Sequence, residues 1–354
     1  MSFEELVHGW NGEEVVVRHD DPTGAWMFIG VHSTTLGPAM GGTRLKAYAL
    51  PEEALEDVLR LSSAMTVKQA AADLPYGGGK AVLAVGEVPG RGTDERRELL
   101  LRYAELVESL HGTYVTAADM NTGEADMDVV GERTSHVLGR SRAGGGSGDP
   151  GAATGIGVFH GIRACAGRAF GSEELVGRSI LVQGIGSVGV RLSELLHEAG
   201  ATLLLADVDA ERARTLADRL GATVVAADEV IGAGCDVFSP CATGRVLTAE
   251  TIPYLKCRIV AGAANNQLGT TEDGDRLRDA GILYAPDYVV NAGGVIHLAG
   301  TETLGWDAST LAKRLEGIGD TLLEVFDAAE RDDTSTAAAA DRLAARRLME
   351  ERDA

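Results

Sequence analysis

One sequence feature restricts the possible fold of this chain more than any other: a glycine-rich turn between an apolar run and a helical segment. Ile180-Leu181-Val182 precedes Gly184-Ile185-Gly186-Ser187-Val188-Gly189, and an amphipathic segment follows. Such a turn joins a buried strand to a helix, and strands alternate with helices through the rest of the chain. The alternation predicts an α/β fold with a parallel sheet covered by helices on both faces. Strands are predicted at 179–183, 202–206, 222–226, 237–239, 259–261 and 283–285, and helices at 155–170, 187–199, 210–220, 311–326 and 334–349.

The spacing within this turn is typical of a dinucleotide-binding site. Gly184 permits the tight turn, Gly186 lets backbone N–H groups approach a pyrophosphate, and Gly189 allows the helix to pack closely on the strand. The same candidate site includes the residues between these glycines: Ile185, Ser187 and Val188. The turn therefore predicts a Rossmann-type dinucleotide-binding domain.

Asp207 ends the next predicted strand, about twenty residues after the turn. A carboxylate there accepts hydrogen bonds from ribose hydroxyls and repels a 2′-phosphate, which favours NAD over NADP. Two alternatives stay open. Asp207 could cap the following helix, and Arg212 and Arg214 lie close enough in sequence to tolerate a phosphate.

Lysine is scarce in this chain, which has five lysines and twenty-seven arginines. Lys68 and Lys80 nevertheless lie twelve positions apart, and Gly77-Gly78-Gly79 precedes Lys80. An ammonium can lose its proton where a guanidinium cannot, so we interpret Lys80 as a reactive amine, approached closely by a small substrate across the glycines. The alternative is a surface turn with a solvated lysine. A phosphate-binding P-loop is disfavoured because positions 74 and 81 are Leu and Ala.

Bulk composition restricts the class of partner. The net charge of −21 and the pI near 4.8 argue against nucleic-acid and anionic-membrane surfaces and leave small molecules. The four cysteines form no C-x-x-C pair and no cluster with histidine, so neither a metal site nor a disulfide framework is expected. The acidic start of the chain has no signal-peptide pattern, and a cytoplasmic location is expected.

The length of 354 residues predicts two domains. In the first half we expect a hairpin from 14–18 and 25–31, a helix from Pro51 that ends near Lys68, strands at 81–85 and 114–118, and a helix at 94–111. The Gly/Ser-rich stretch 141–151 predicts a hinge. We therefore expect domains at 1–143 and 144–326, with 327–354 packing back on the first, and a cleft that closes about segments 140–152 and 320–330 to exclude water.

Several distant motifs occur in order along nearly the whole chain. They are Gly37-Pro38-Ala39-Met40-Gly41-Gly42-Thr43-Arg44, 74–80, Asp119-Met120-Asn121-Thr122, Pro240-Cys241-Ala242, 262–267 and Asn291-Ala292-Gly293-Gly294-Val295. Together they resemble the family of glutamate, leucine, valine and phenylalanine dehydrogenases. The resemblance implies a substrate and oligomerisation domain, an NAD-binding domain and a homo-oligomer. It implies oxidative deamination, in which an L-amino acid and NAD give a 2-oxo acid, ammonia and NADH.

The resemblance also implies roles for individual residues. Lys68 would bind the substrate carboxylate as a point charge. Lys80, with its pKa lowered by a neighbouring ammonium and by burial, would activate water and polarise the developing carbonyl. Asp119 would carry protons to and from the amino group. Further contacts are implied to substrate at Met40, Gly41, Ala117, Asn266, Asn291 and Val295, and to the cofactor at Thr154, Cys241 and Ala242.

The substrate side chain is less constrained by the sequence. A glutamate enzyme is disfavoured because no further lysine is available for a second carboxylate, whereas Ala117 and Val295 resemble the aliphatic-selective members. The segments 119–122 and 301–306 resemble some phenylalanine enzymes instead. We expect a leucine or valine enzyme, with a phenylalanine enzyme as the alternative. A non-catalytic redox sensor is the more distant alternative, which Lys68, Lys80 and Asp119 together argue against.

Overall fold

The computed structural model describes residues 3–352, and these residues form two compact units. Unit 1 contains residues 3–149, 298–305 and 344–352, and unit 2 contains Pro150–His297 and Trp306–Leu343. The elements of the first 149 residues are α1 (Phe3–Trp10), β1 (Glu14–Asp20), β2 (Ala25–Ser33), β3 (Ala39–Ala47), α2 (Pro51–Ala71), β4 (Gly77–Val85), α3 (Asp94–Glu108), β5 (Tyr114–Ala118) and α4 (Glu124–Val130).

The sheet of unit 1 has the strand order β1-β2-β4-β3-β5. The predicted hairpin is confirmed, since β1 pairs antiparallel with β2, while β3 pairs parallel with both β4 and β5. A buried cluster that includes Leu99, Tyr103 and Met127 covers one face. A second cluster, with Leu55 and Val58 of α2, packs with Phe28 and Val82 of the sheet.

Helix α2 begins and ends where the sequence predicts. Pro51 occupies the first turn with Glu52 and Glu53, where a fixed φ and negative charge both suit a helix N-terminus. Lys68 lies in the last turn, as expected. The helix lies directly above two glycines of the sheet: a Cβ atom on Gly30 would lie 3.0 Å from Ser62 Oγ, and one on Gly78 would overlap Thr66.

Strand β4 corrects the interpretation of Gly77-Gly78-Gly79 as a substrate approach or a surface turn. The strand was predicted at 81–85, but it begins at Gly77, and both the glycines and Lys80 are buried within it. A Cβ atom on Gly77 would overlap the Ser33 carbonyl, and one on Gly79 would lie 2.7 Å from the Tyr114 ring. The glycines therefore provide room for the protein's own backbone and side chains.

Unit 2 is built on a six-stranded parallel sheet with the order β11-β10-β9-β6-β7-β8. All six predicted strands are present, although three are only two residues long. The elements after residue 150 are α5 (Gly151–Phe170), β6 (Ser179–Gln183), α6 (Ser187–Glu198), β7 (Thr202–Ala206), α7 (Ala210–Leu220), β8 (Thr223–Val224), β9 (Val237–Pro240), β10 (Ile259–Val260), α8 (Glu272–Asp279), β11 (Leu283–Tyr284), α9 (Asp287–Val290), α10 (Gly293–Glu302), α11 (Ala308–Arg331) and α12 (Thr336–Arg352). The last turns of α10 and α12, residues 298–302 and 344–352, belong to unit 1.

The two units differ from the predicted domain bounds. Residues 144–149 and 298–305 belong to unit 1, and residues 327–343 belong to unit 2. The chain passes between the units after residues 149, 297, 305 and 343, and not near 320–330, because α11 continues unbroken through that segment within unit 2.

The glycine-rich stretch after residue 139 has no helix or strand, but its backbone is held by one carboxylate. Glu302 accepts hydrogen bonds from the N–H of Gly139 at 3.1 Å and from the N–H of Ser147 at 2.9 Å. Gly148 donates its N–H to the Arg140 carbonyl at 3.1 Å. The stretch is therefore a loop of unit 1 closed by its own hydrogen bonds and by a residue 155 positions away from Ser147.

The four cysteines are free thiols, and Cys165 and Cys257 are buried. Burial raises the pKa of the Cys257 thiol to about 11. Among residues 3–352, no helix is long and apolar enough to cross a membrane. The same part of the chain contains no group of three His, Cys, Asp or Glu side chains placed to hold a metal ion.

Candidate active site

Three adjacent strands of unit 1 bring the predicted catalytic residues together. Met40 of β3 pairs with Gly78 of β4, and Gly42 pairs with Ala117 of β5. Because side chains alternate along a strand, Met40, Lys80 and Ala117 project from the same face of the sheet. This is the face on which α2 packs, since Lys80 pairs with Gly30 beneath Ser62.

Buried Lys80 and half-buried Asp119 form an ion pair on that face. Lys80 Nζ lies 3.0 Å from Asp119 Oδ1, and the side chain of Lys80 is 7% exposed. Burial disfavours the ammonium more than the Asp119 carboxylate favours it, so the pKa of Lys80 lies below its usual value. The sequence attributed this direction partly to a neighbouring ammonium, but the cation that contributes is the Arg44 guanidinium.

Asp119 lies one residue beyond β5, where the strand was predicted to end. Burial alone would raise its pKa, but the charges of Lys80 and Arg44 outweigh burial and lower the pKa of Asp119 to about 2. Its backbone N–H donates to Thr122 Oγ1 at 2.8 Å, and Thr122 Oγ1 donates to the Thr43 carbonyl at 2.8 Å. A Cβ atom on Gly42 would lie 2.8 Å from the Asp119 Cβ, so the missing side chain of Gly42 leaves space for this carboxylate.

Arg44 belongs to this site, although sequence reasoning gave it no role. Its Nε lies 3.1 Å from Asp119 Oδ2, and its Nη1 lies 2.9 Å from Oδ2 of Asp57 on α2. Asp57 also accepts hydrogen bonds from the Tyr48 hydroxyl and from Arg60. The only sequence signal for Arg44 as a site residue was its position at the end of the motif 37–44. Its contact with Asp119 could not be read from the sequence, because that contact depends on the pairing of β3 with β5.

The predicted substrate residues of unit 1 do not all lie on the same face of the sheet. Met40 and Ala117 are buried apolar side chains on the Lys80 face. Gly41 projects to the opposite face, where its carbonyl accepts a hydrogen bond from the Tyr114 hydroxyl at 2.6 Å. Lys68 is half-buried in the last turn of α2.

In unit 2, the dinucleotide turn has the predicted geometry. Gly184 adopts a φ of +99°, and a Cβ atom there would lie 2.8 Å from the Ala242 Cβ. A Cβ atom on Gly189 would overlap the Gly184 carbonyl, whereas the space around Gly186 is open to 4 Å. The first and third glycines are therefore required by the turn itself, and the middle one leaves the N-terminus of α6 open to a ligand.

Asp207 follows β7 and is tied to this turn. Its Oδ2 accepts a hydrogen bond from the Ile185 N–H at 2.6 Å, and its Oδ1 accepts one from the Asp209 N–H at 2.8 Å. The cap of α7 is Asp209, which accepts from the N–H groups of Glu211 and Arg212, so the alternative that Asp207 caps this helix is wrong. Arg212 lies 3.8 Å from Asp207 and 3.4 Å from Asp209.

The loops that follow β9 and β10 contain further predicted residues. Cys241 donates its N–H to the Gln183 carbonyl at 2.7 Å, and Ala242 is exposed beside Gly184. The Asn291 amide donates to the Ala263 carbonyl at 3.0 Å and to Asn265 Oδ1 at 2.8 Å. Asn266 is exposed, with a φ of +52°.

Two glycines explain how α10 begins beside α5. A Cβ atom on Gly293 would overlap the Ala153 carbonyl, and one on Gly294 would lie 2.8 Å from Thr154 Oγ1. Thr154, the predicted nicotinamide contact, therefore lies against the first turn of α10, the helix that carries half-buried Val295. Sequence reasoning named these glycines only as part of a motif.

Comparisons with known proteins identify the family of this chain. A family profile described as the dimerisation domain of Glu/Leu/Phe/Val dehydrogenases matches residues 15–136. A second profile, described as glutamate/leucine/phenylalanine/valine dehydrogenase, matches residues 203–354. The chain is 42% identical to a leucine dehydrogenase of Thermoactinomyces intermedius, covering 98% of this chain and 94% of that protein.

Two further relatives cover the chain equally well. A valine dehydrogenase of Streptomyces virginiae is 44% identical over 98% of this chain and 97% of its own length. The crystal structure of an L-tryptophan dehydrogenase from Nostoc punctiforme aligns with a TM-score of 0.85 and 38% identity, covering 99% of this chain and all of that one. The chain belongs to the glutamate/leucine/phenylalanine/valine dehydrogenase family and is an amino-acid dehydrogenase, an oxidoreductase that acts on a CH–NH2 donor.

Proposed function

We propose that this protein catalyses the NAD-dependent oxidative deamination of an L-amino acid with a branched aliphatic side chain, leucine or valine. The reaction converts the amino acid, NAD and water into a 2-oxo acid, an ammonium ion, NADH and a proton. The observation that carries the proposal is the ion pair of buried Lys80 and half-buried Asp119, on the same face of the sheet as the apolar residues Met40 and Ala117. Such a pair provides an amine and a carboxylate for proton transfer in a place with little water.

Lys80 is the proposed base. Its lowered pKa makes the neutral amine available nearer to neutral pH, and the amine can then take a proton from water attacking the substrate carbon. Asp119, ionised and 3.0 Å away, is the proposed acceptor and donor for protons of the leaving amino group. Lys68, in the last turn of α2, is the proposed partner of the substrate carboxylate.

The cofactor proposal rests on the turn at Gly184 and on Asp207. Bound NAD would accept the hydride from the substrate Cα, and the open space at Gly186 fits a pyrophosphate at the N-terminus of α6. Asp207 has a fixed carboxylate at the end of β7, where it would repel a 2′-phosphate. Arg212 is engaged by Asp207 and Asp209, and Arg214 by Glu211, which supports NAD over NADP.

The other cofactor and substrate contacts remain part of the proposal. Thr154 would hold the nicotinamide amide, and Cys241 and Ala242 would lie along the adenosine. The amides of Asn266 and Asn291 would orient substrate or nicotinamide, and Val295 would contact the substrate side chain. Asn291 already fixes the loop at 263–265, which supports a role in positioning that loop.

An aromatic substrate is the second candidate. The sequence already left phenylalanine open, and one relative with full coverage is named for tryptophan. The test is NADH formation at alkaline pH with L-leucine, L-valine, L-phenylalanine, L-tryptophan and L-glutamate, repeated with NADP. A preference for leucine or valine with NAD supports the proposal. A preference for a ring refutes the aliphatic part alone, and no turnover with any of the five amino acids refutes both proposed substrate classes.

We also propose a homo-oligomer in the cytoplasm. The profile that matches residues 15–136 is described as a dimerisation domain. Four free thiols suit a reducing compartment. Light scattering coupled to size-exclusion chromatography tests the first point, since a mass near 36.9 kDa would show a monomer.

A further inference from the structure

We infer that Arg44 is a positioning residue for the reaction, and that Arg44 and Asp57 together set the pH at which Lys80 loses its proton. The inference rests on the proposed role of Lys80 as the base. It adds two residues that are connected to Lys80 through Asp119: Arg44 contacts Asp119, and Asp57 contacts Arg44.

The first argument is the geometry of the Asp119 carboxylate. Oδ1 contacts Lys80 Nζ at 3.0 Å, and Oδ2 contacts Arg44 Nε at 3.1 Å. A carboxylate held through one oxygen can rotate about its Cβ–Cγ bond, whereas one held through both oxygens from two different strands cannot. Arg44 therefore keeps the oxygen that faces Lys80 in position for proton exchange.

The second argument is that Asp57 holds the guanidinium from its other side. Arg44 Nη1 lies 2.9 Å from Asp57 Oδ2, and the side chains of Arg44 and Asp57 are 14% and 17% exposed. Asp57 is itself fixed by the Tyr48 hydroxyl at 2.7 Å. Arg44 contacts Asp119 and Asp57 through two different nitrogens. A guanidinium has several nitrogens in a fixed plane for such contacts, whereas a lysine has one.

The third argument is electrostatic, and it predicts opposite effects of the two residues. Burial lowers the pKa of Lys80 most, and the charge of Asp119 opposes burial. The positive charge of Arg44 lowers the pKa of Lys80 further, whereas the negative charge of Asp57 raises it. Arg44 contributes from β3, Asp119 from the end of β5 and Asp57 from α2, and the charges of Arg44 and Asp57 act on Lys80 in opposite directions.

The experiment is the pH dependence of kcat/KM for the full-length protein and for Arg44→Gln, Asp57→Asn and the double variant. Activity should fall on the acid side as Lys80 becomes protonated. We expect this acid limb to move up by about one pH unit in Arg44→Gln and down by a similar amount in Asp57→Asn. In the double variant both charges are gone, and the limb should lie between the positions of the two single variants.

Arg60→Gln is the matched control. Arg60 contacts the same Asp57 at 2.8 Å, but it is 46% exposed and has no contact with Asp119. Because water screens an exposed charge, its loss should leave the acid limb within a few tenths of a unit. Arg44→Lys keeps the positive charge but has a single nitrogen. Its acid limb should therefore lie near the wild-type pH, while kcat should stay low because a lysine does not hold Asp119 as the guanidinium does.

The possible failures are distinguishable. In one outcome both single variants have a reduced kcat but keep the acid limb at the wild-type pH. Arg44 and Asp57 would then be structural, and this inference would be overturned while the role of Lys80 as the base would stand. A wild-type profile without an acid limb would overturn Lys80 as the base, and the inference with it. If Arg44→Gln does not fold, two measurements still decide the question. The acid limb should move down in Asp57→Asn, and it should lie at higher pH in the double variant than in Asp57→Asn.

Discussion

The carboxylate of Asp207 and the backbone N–H of Ile185 are joined by a hydrogen bond of 2.6 Å. This contact links the end of one strand to the glycine turn that follows its neighbour. The residue proposed to select the cofactor therefore also holds the loop on which the cofactor would lie.

Asp207→Asn should change cofactor choice. The neutral amide no longer repels a 2′-phosphate, so we expect the ratio of kcat/KM for NADP to that for NAD to rise about tenfold or more. Activity with NAD should also fall, because the hydrogen bond to Ile185 weakens. Asp209→Asn is the control, since Asp209 caps α7 two residues further on; an equal change there would contradict the assignment.

Lys80→Ala should abolish turnover while leaving NADH binding nearly intact. Loss of a general base costs about 10²–10⁴-fold in kcat. NADH affinity, measured by the change in cofactor fluorescence, should stay within a factor of about two because no residue of the dinucleotide turn is changed. Lys256→Ala removes an exposed lysine and should behave as wild type. A kcat in Lys80→Ala within about tenfold of the wild-type value would refute the mechanism.

Asp119→Asn should lower kcat and also move the pH profile. The charge of Asp119 raises the pKa of Lys80, so its removal lowers that pKa further, and the acid limb of kcat/KM should shift to lower pH. At the same time kcat should fall by about 10²-fold or more, because the carboxylate that exchanges protons is gone. An unshifted limb would show that the two groups are not coupled in the active enzyme.

The sequence predicted the second unit better than the first, for physical reasons. Alternating strands and helices carry strong periodic signals, and the spacing from Gly184 to Asp207 follows from backbone geometry, so the turn and the sheet were found. Strand β3 and the start of β4 were missed because Gly41, Gly42 and Gly77 to Gly79 reduce local strand preference. Their conformation is imposed by neighbouring strands.

Long-range contacts account for what the sequence did not predict in the site. The family resemblance implied a role for Asp119, but the contact of Asp119 with Arg44 is set by strand pairing across 75 residues. Likewise, the glycine-rich loop after residue 139 was predicted to be a hinge from composition alone. Glu302, which holds that loop, is 155 residues beyond Ser147 and could not be associated with it by pattern.

Ala117→Gly should shift the substrate preference toward aromatic amino acids. Ala117 is buried on the Lys80 face, and removal of its methyl enlarges the proposed pocket. One methylene in an apolar pocket is worth about 1–3 kcal/mol, so the ratio of kcat/KM for phenylalanine to that for leucine should rise by about tenfold. The measurement is steady-state kinetics with both amino acids. An unchanged ratio would show that position 117 does not contact the side chain.

Arg96→Ala and Arg97→Ala form a matched pair for stability. Arg96 is buried and contacts Asp126 through Nε at 2.7 Å and Nη2 at 2.9 Å, so its loss leaves a buried carboxylate unpaired and should cost about 3–5 kcal/mol. Arg97 forms a similar pair with Glu132 on the surface, where water screens both charges, so its loss should cost much less than the loss of Arg96. Urea unfolding followed by circular dichroism measures both. Equal losses would contradict the importance of burial.

The glycines beneath α2 have a consequence for the chemistry of Lys80. Gly30 pairs with Lys80 and lies under Ser62, and Gly78 lies two residues before Lys80 and under Thr66. Because neither has a side chain, the helix settles close to the sheet and water is excluded from the lysine. The absence of side chains at Gly30 and Gly78 therefore contributes to the burial that lowers the pKa of Lys80.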